Sequence, residues 1–289
     1  MAIQSQDQLI NSLSVGKTSR YDWNKITGAA AYTAGRWYDL STLAGIPIAN
    51  TFSGTALNAQ VPNEASGFGI YHGGNVTPDI KSILNTGAVS AVATAVPATL
   101  MLVDMCLYYP SINMNLATAQ TLVNTSTLTR YTDGAGLRAF LVTQTTTGAT
   151  AHNISISYTN QTGTAGRALP VTVAGTASAI TPHITHSGVA ANNYGPFLPL
   201  QSGDTGIRSV QSLTLSAASG SGTAALVLCR PITTIPITTA GVFAERDLVN
   251  QLPSLPVIQD GACLVWLYFA GSATAASTNI YGNIQTVWG

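Results

Sequence analysis

Short runs of β-branched and aromatic residues, each closed by a Gly, Asn, Ser or Pro cluster, decide what this chain can become. They lie at residues 99–109 (TLMLVDMCLYY), 137–144 (LRAFLVTQ), 154–158 (ISISY), 170–173, 210–215, 224–229 and 263–269. Turn signals separate them, at Asp133-Gly134, Gly203-Asp204 and Ser219-Gly220-Ser221-Gly222 among others. ISISY alternates strictly, so Ile154, Ile156 and Tyr158 share one face and point toward a core. Many short strands at this spacing predict an all-β chain, β-sandwich or jelly-roll-like, rather than a parallel α/β sheet.

Two or three short helices are expected beside the strands. Ser5 followed by Gln8 fits a capping box, and Leu9, Ile10 and Leu13 form one apolar face behind it. Thr77-Pro78 places a proline at a first helical position, with Ile80, Ile83 and Leu84 facing inward. A third candidate covers residues 243–252 (FAERDLVNQL) and stops at Pro253. Residues 1–36 read as an N-terminal arm or linker, and residues 37–289 as the β-rich body. That body is one large sandwich or two tandem β-subdomains with a boundary near residues 110–136. Residues 77–109 and 243–269 echo each other: helix-like, then a proline-containing turn, then an apolar strand. A duplicated unit and two independent ways of leading in a buried strand both fit.

Composition narrows the setting. The 289 residues can bury a sizeable core without disulfide support. Only 8% are charged, against about 25% in ordinary soluble domains, while 46% are hydrophobic. The exterior is therefore covered by uncharged polar side chains or by other protein. Formal net charge is zero, which leaves no basic footprint for nucleic acid. One local excess lies near the start, where Lys17, Arg20, Lys25 and Arg36 face only Asp7 and Asp22, as in a solvated or partner-facing arm. Cys106, Cys229 and Cys263 each sit in an apolar run and read as small buried hydrophobes. The opening MAIQSQDQLINSL lacks the basic start and apolar centre of a secretory signal. The stretch 88–106 contains Pro97 and Asp104 and suits strands better than a membrane helix.

Chemical motifs are weak throughout. Gly16-Lys17-Thr18 resembles the tail of a phosphate loop, but Asn11 stands where that loop needs glycine. His183 and His186 are three apart in a segment that reads as loop or strand, where they would point oppositely. Glu245 and Asp247 flank Arg246, as on a solvated face. No catalytic, cofactor-binding or metal-binding residue is expected, and the chain is read as no enzyme. A β-sandwich glycan hydrolase is the weakest alternative, since it needs a facing acid pair.

Two polar segments organise the remainder: residues 158–167 (YTNQTGTAGR) and 197–210 (FLPLQSGDTGIRSV). Arg167, Asp204 and Arg208 lie in their Gly/Thr-rich turns. Asp204 and Arg208 are spaced for a local ion pair, or for a reach to a neighbouring subunit. With Lys17, Arg20, Lys25 and Arg36 they make up the candidate interface.

These segments, together with LPVIQDGACLVWLYF and WYDLSTLAGIPIANTF, resemble virion structural proteins of tailed bacteriophages. The resemblance covers about residues 97–289. It implies a head decoration or cement protein on the capsid surface, made in the host cytoplasm. Its implied partners are the major capsid protein and copies of itself as a trimer, with no nucleic acid, membrane or cofactor. A tail, baseplate or receptor-binding component is the alternative, with Trp23, Tyr32, Trp37 and Tyr38 as the nearest aromatics for a carbohydrate-facing groove; the favoured role for these four is to anchor the N-terminal segment in its own core.

Overall fold

The structure, a computed structural model, describes residues 3–188, 195–251 and 254–289. Its strands in chain order begin β1 (Thr18–Ile26), β2 (Arg36–Asp39), β3 (Gly45–Ile46), β4 (Lys81–Ser90) and β5 (Ala98–Asn113). Next come β6 (Gln120–Thr121), β7 (Arg138–Thr145), β8 (His152–Asn160), β9 (Arg167–Ala168), β10 (Val173–Gly175) and β11 (Ile207–Leu215). The last are β12 (Thr223–Ile237), β13 (Ala244–Asp247), β14 (Val257–Ile258), β15 (Leu264–Ala270) and β16 (Asn279–Trp288). Two α-helices join them, α1 (Gln6–Ser14) and the single turn α2 (Leu248–Gln251).

The strands form three antiparallel sheets. The central sheet runs β2-β15-β5-β12-β7, and a distal sheet runs β10-β8-β11-β6 with β9 also on β8. The third, which holds both chain ends, runs β13-β4-β16-β1-β3 with β14 also on β4. This is the expected all-β, sandwich-like architecture.

Length explains how one sheet serves two others. β5 has 16 residues and β12 has 15, and they pair along nearly their whole course. At about 3.3 Å per residue that is roughly 50 Å, nearly three times an ordinary strand. One end of the pair gives Leu107, Tyr109, Leu226 and Leu228 to a core shared with Ile156, Tyr158 and Leu213 of the distal sheet. The other end gives Leu100, Leu102, Ile235 and Ile237 to a second core, with Trp23, Ile83 and Ile284 of the third sheet. Between the ends the register slips so that Leu228 faces Leu107 while Cys229 faces Met105. The extra residue, Cys106, restores inward alternation for the second half of β5. The opposite face of the central sheet, with Val103, Met105, Phe140 and Val227, is closed by Phe52, Phe68 and Ile184 from loops.

Six of the seven sequence-predicted strands are present, and the expected segment 170–173 is irregular up to its last residue. β10 begins at Val173, where the expected segment 170–173 ends. Ile154, Ile156 and Tyr158 all point into the first core. The first helix also forms: Ser5 Oγ accepts from the Gln8 N–H at 3.2 Å, and Gln8 Oε1 accepts from the Gln4 N–H at 2.7 Å.

Three expectations are corrected. The helix expected from Thr77-Pro78 does not form: those two residues make a turn, and Ile83 and Leu84 belong to strand β4, flanked by β16 on one side and by β13 and β14 on the other. The ladder to β16 runs the whole length of β4, and β13 and β14 pair with parts of its other edge, while Ile80, Ile83 and Leu84 fit either period over so short a run. The helix expected over residues 243–252 begins as strand β13 and becomes helical only at Leu248–Gln251. The expected arm enters the body early: β1 pairs residue for residue with β16, from Thr18↔Val287 to Ile26↔Asn279. The two echoing segments lie side by side, β13 on β4 and β15 on β5.

Candidate functional site

The seven candidate interface residues fall into three environments. Arg167 and Asp204 are joined to each other. Asp204 Oδ2 accepts from Arg167 Nε at 2.9 Å and from the Tyr158 hydroxyl at 2.6 Å, and Oδ1 accepts from Asn160 Nδ2 at 2.7 Å. Burial opposes ionisation of Asp204, but the hydrogen bonds from Arg167, Tyr158 and Asn160 outweigh it and hold the carboxyl at about 2. The ion pair expected between Asp204 and Arg208 is thus corrected, because Arg167 takes that carboxylate. Arg208 is exposed on β11. The two polar segments singled out by composition are one clamp at the edge of the distal sheet.

Lys25 is not at the surface. It is 4% exposed, and its Nζ donates to the carbonyls of Pro47 at 2.7 Å and Leu43 at 3.1 Å. Burial pulls it down to about 8, against partial support from the buried Asp39 carboxylate. Its inward direction follows from β1 alternation, which sends Trp23 and Lys25 to the core and Arg20, Asp22, Asn24 and Ile26 outward. Lys25 thereby fastens the 43–48 loop, with strand β3, to β1 from beneath.

Lys17, Arg20 and Arg36 remain accessible. Lys17 is bound to Asp79 at 2.6 Å, tying the end of α1 to the approach to β4. Arg36 is half-buried on β2. Arg20 and Asp22 form an exposed pair at 3.2 Å on the outer face of the third sheet.

That outer face carries a groove of about 520 Å³, lined among others by Arg20, Asp22, Asn24, Ile46, Phe243 and Tyr281. Tyr281 and Asn283 project outward from β16, where Ile280 and Ile284 project inward. One wall is Ile46 on β3, whose N–H donates to Asn24 Oδ1 at 2.8 Å. The other is Phe243, whose ring lies on Gly87; a Cβ there would come within 2.2 Å of it. Sequence reading missed this groove. The available signal was the alternation in NIYGNIQTVW, which Gly282 and two asparagines dilute.

The four N-terminal aromatics pack into the cores, in agreement with their favoured role, and of the four Trp23 also borders the groove. Trp23, Tyr32 and Tyr38 are 2%, 1% and 1% exposed, with Tyr32 stacked on Tyr38 and Trp23 tilted against Trp266. Trp37 is partly buried and packs against the central sheet beside Phe269. They anchor the second and third cores.

His183 and His186 are also core residues. His186 Nε2 lies 3.1 Å from the Pro196 carbonyl, and burial pulls the two imidazoles to about 4 at His186 and about 3 at His183. Among the described residues no group of His, Cys, Asp or Glu is arranged to hold a metal ion. The three cysteines are buried free thiols.

No family model and no curated protein matches this chain. Among solved structures it is similar to the crystal structure of the infectious bursal disease virus VP2 subviral particle. That likeness has a TM-score of 0.21 and 9% identity, and covers 94% of this chain and 81% of that one. It is a weak structural likeness to a viral capsid protein, and at this level it assigns the chain to no family.

Proposed function

We propose that the chain is a structural virion subunit, a decoration or cement protein bound to the major capsid protein and to copies of itself as a trimer. The observation that carries this reading is where the charges go. Of the 22 charged side chains, Lys25, Asp39, Lys81, Asp104 and Arg130 are buried, leaving 17 for 11360 Å² of surface. Large apolar side chains share that surface, with Ile48 at 66%, Val15 at 62% and Ile10 at 59% exposure. Such an exterior can be covered by other subunits without the heavy desolvation cost of burying charges. Closed symmetry then repeats each fixed contact.

A tail or baseplate recognition module is the second reading, favoured by the outer-face groove. Fractionation of purified particles separates the two. Recovery with heads, and heads that burst at lower temperature without the chain, supports the cement reading. Recovery with tails alone supports the second, and absence from particles overturns both. We take the chain to have no catalytic activity, since Asp22 lines the groove without a second acid facing it.

A further inference from the structure

The outer-face groove holds more hydrogen-bonding capacity than the chain itself uses. Asn279 Oδ1 is buried and has no hydrogen-bond partner. Asn24 uses its Oδ1 on the Ile46 N–H and keeps its amide hydrogens, while Asn283 and the Tyr281 hydroxyl stand beside it on the same face. That oxygen is closed off from the groove, so the groups open to a ligand are the Asn24 amide, Asn283 and the Tyr281 hydroxyl.

Two aromatic rings flank these amides. Tyr281 is 42% exposed and Phe243 is 44% exposed, each presenting a large apolar surface across the groove from Ile46. From β4, which carries Phe243 over Gly87, to β3, which carries Ile46, is three strand spacings, or about 14 Å. Charge in the groove cancels, because Arg20 and Asp22 bind each other at 3.2 Å. The volume of about 520 Å³ falls within the range of small-molecule sites.

A ligand that fits must offer flat apolar faces, many hydroxyl donors and acceptors, and no net charge. We propose that this groove binds a neutral oligosaccharide. Pyranose C–H faces lie against Tyr281 and Phe243, and hydroxyls bridge Asn24 and Asn283. This site is independent of the shell-binding reading, and a chain seated on a capsid would do so through another face.

The test is titration of the full chain with maltohexaose, cellohexaose and chitohexaose, with 3′-sialyllactose as a charged comparator. One neutral oligosaccharide is expected to bind, with little dependence on salt. Tyr281→Ala and Asn283→Ala should each weaken it by about tenfold or more while the melting temperature holds. Asn283→Ala keeps the test informative if Tyr281→Ala disturbs the sheet. Failure of every neutral oligosaccharide at millimolar concentration overturns the proposal. So does tighter binding of the sialylated sugar, or affinity unchanged in both variants. A change of oligomeric mass in Tyr281→Ala also overturns it, because the groove would then be a contact between copies.

Discussion

Arg130 grips the Asp104 carboxylate with two hydrogen bonds, Nε to Oδ2 at 3.0 Å and Nη2 to Oδ1 at 2.9 Å, at the junction between the two sandwich cores. Both are buried, at 6% and 0% exposure. The guanidinium also reaches the carbonyls of Pro62 and Met105, and Asp104 Oδ1 accepts from the Cys263 N–H at 2.9 Å. Asp104 lies midway along β5, between Leu102 of one core and Leu107 of the other. The pair therefore ties β5, β15 and two loops together where neither core reaches.

Breaking that pair should be severe. Arg130→Met leaves a buried carboxylate without its partner and is expected to cost about 3–5 kcal/mol in urea unfolding. Replacing both residues, as Asp104→Leu with Arg130→Met, should recover part of that loss, since the uncompensated charge is gone. A double variant no better than Arg130→Met would show that the hydrogen bonds to Cys263 and Pro62 matter more than the charge.

The clamp at the distal sheet is a separate unit. Asp204→Asn weakens the bond from Arg167 and one of those from Tyr158 and Asn160, for an expected loss of about 1–3 kcal/mol. Limited proteolysis should show new cleavage within residues 158–167 or 197–210 before the global transition. Arg208→Ala should leave that pattern unchanged, because Arg167 holds Asp204.

Acid should destabilise the fold well above the carboxylate range. Burial leads the depression of His72, His183 and His186, to about 4, 3 and 4, with Lys81 adding to it at His72. The unfolded chain protonates its histidines near pH 6.5, so it binds more protons than the native state below that pH. Stability from these groups is complete above pH 6.5 and falls as pH drops toward 4. Asp39 works in the opposite sense: burial raises it to about 6, so its native state holds a proton that the unfolded chain releases between pH 4 and 6. The net slope in that window is that of two histidines, at most about 3 kcal/mol per pH unit. Calorimetry at pH 7.5, 5.5 and 4.5 checks this; a melting temperature flat from 7.5 to 4.5 would contradict it.

Gly87→Ala should separate the groove from the fold. The added methyl meets the far end of the partly exposed Phe243 ring and, at 3.1 Å, the Ala244 carbonyl oxygen of the paired strand β13. Stability is expected to change by less than about 1 kcal/mol, while a crystal structure of the variant shows Phe243 displaced from the wall.

Much of this architecture was legible in the residues. The strands of the central and distal sheets announce themselves because they are buried on at least one face, as LMLVDMCLYY and ISISY show. The third sheet was hidden for a physical reason. Its outer face is open, so β1, β4 and β16 mix Arg20, Asp22, Asn85, Asn283 and Gln285 with inward apolar residues and never form a run. Around Ile80, Ile83 and Leu84 the spacing suits helix and strand alike, and only pairing with β16 decides. The candidate interface was read from charge and turn composition, which marks Arg167, Asp204 and Arg208 but joins Asp204 to the wrong arginine, and cannot tell that Lys25 alternates inward. The groove escaped notice because its residues come from segments more than 200 positions apart, Arg20 to Tyr281.

The central claim is that so sparsely charged an exterior is occupied by further copies of the chain and by a shell. Light scattering coupled to size exclusion on the full chain tests the first half directly. A single species at three times the 29.8 kDa of one chain, unchanged on dilution and in salt, is the predicted result. A species of one-chain mass at every concentration would contradict it.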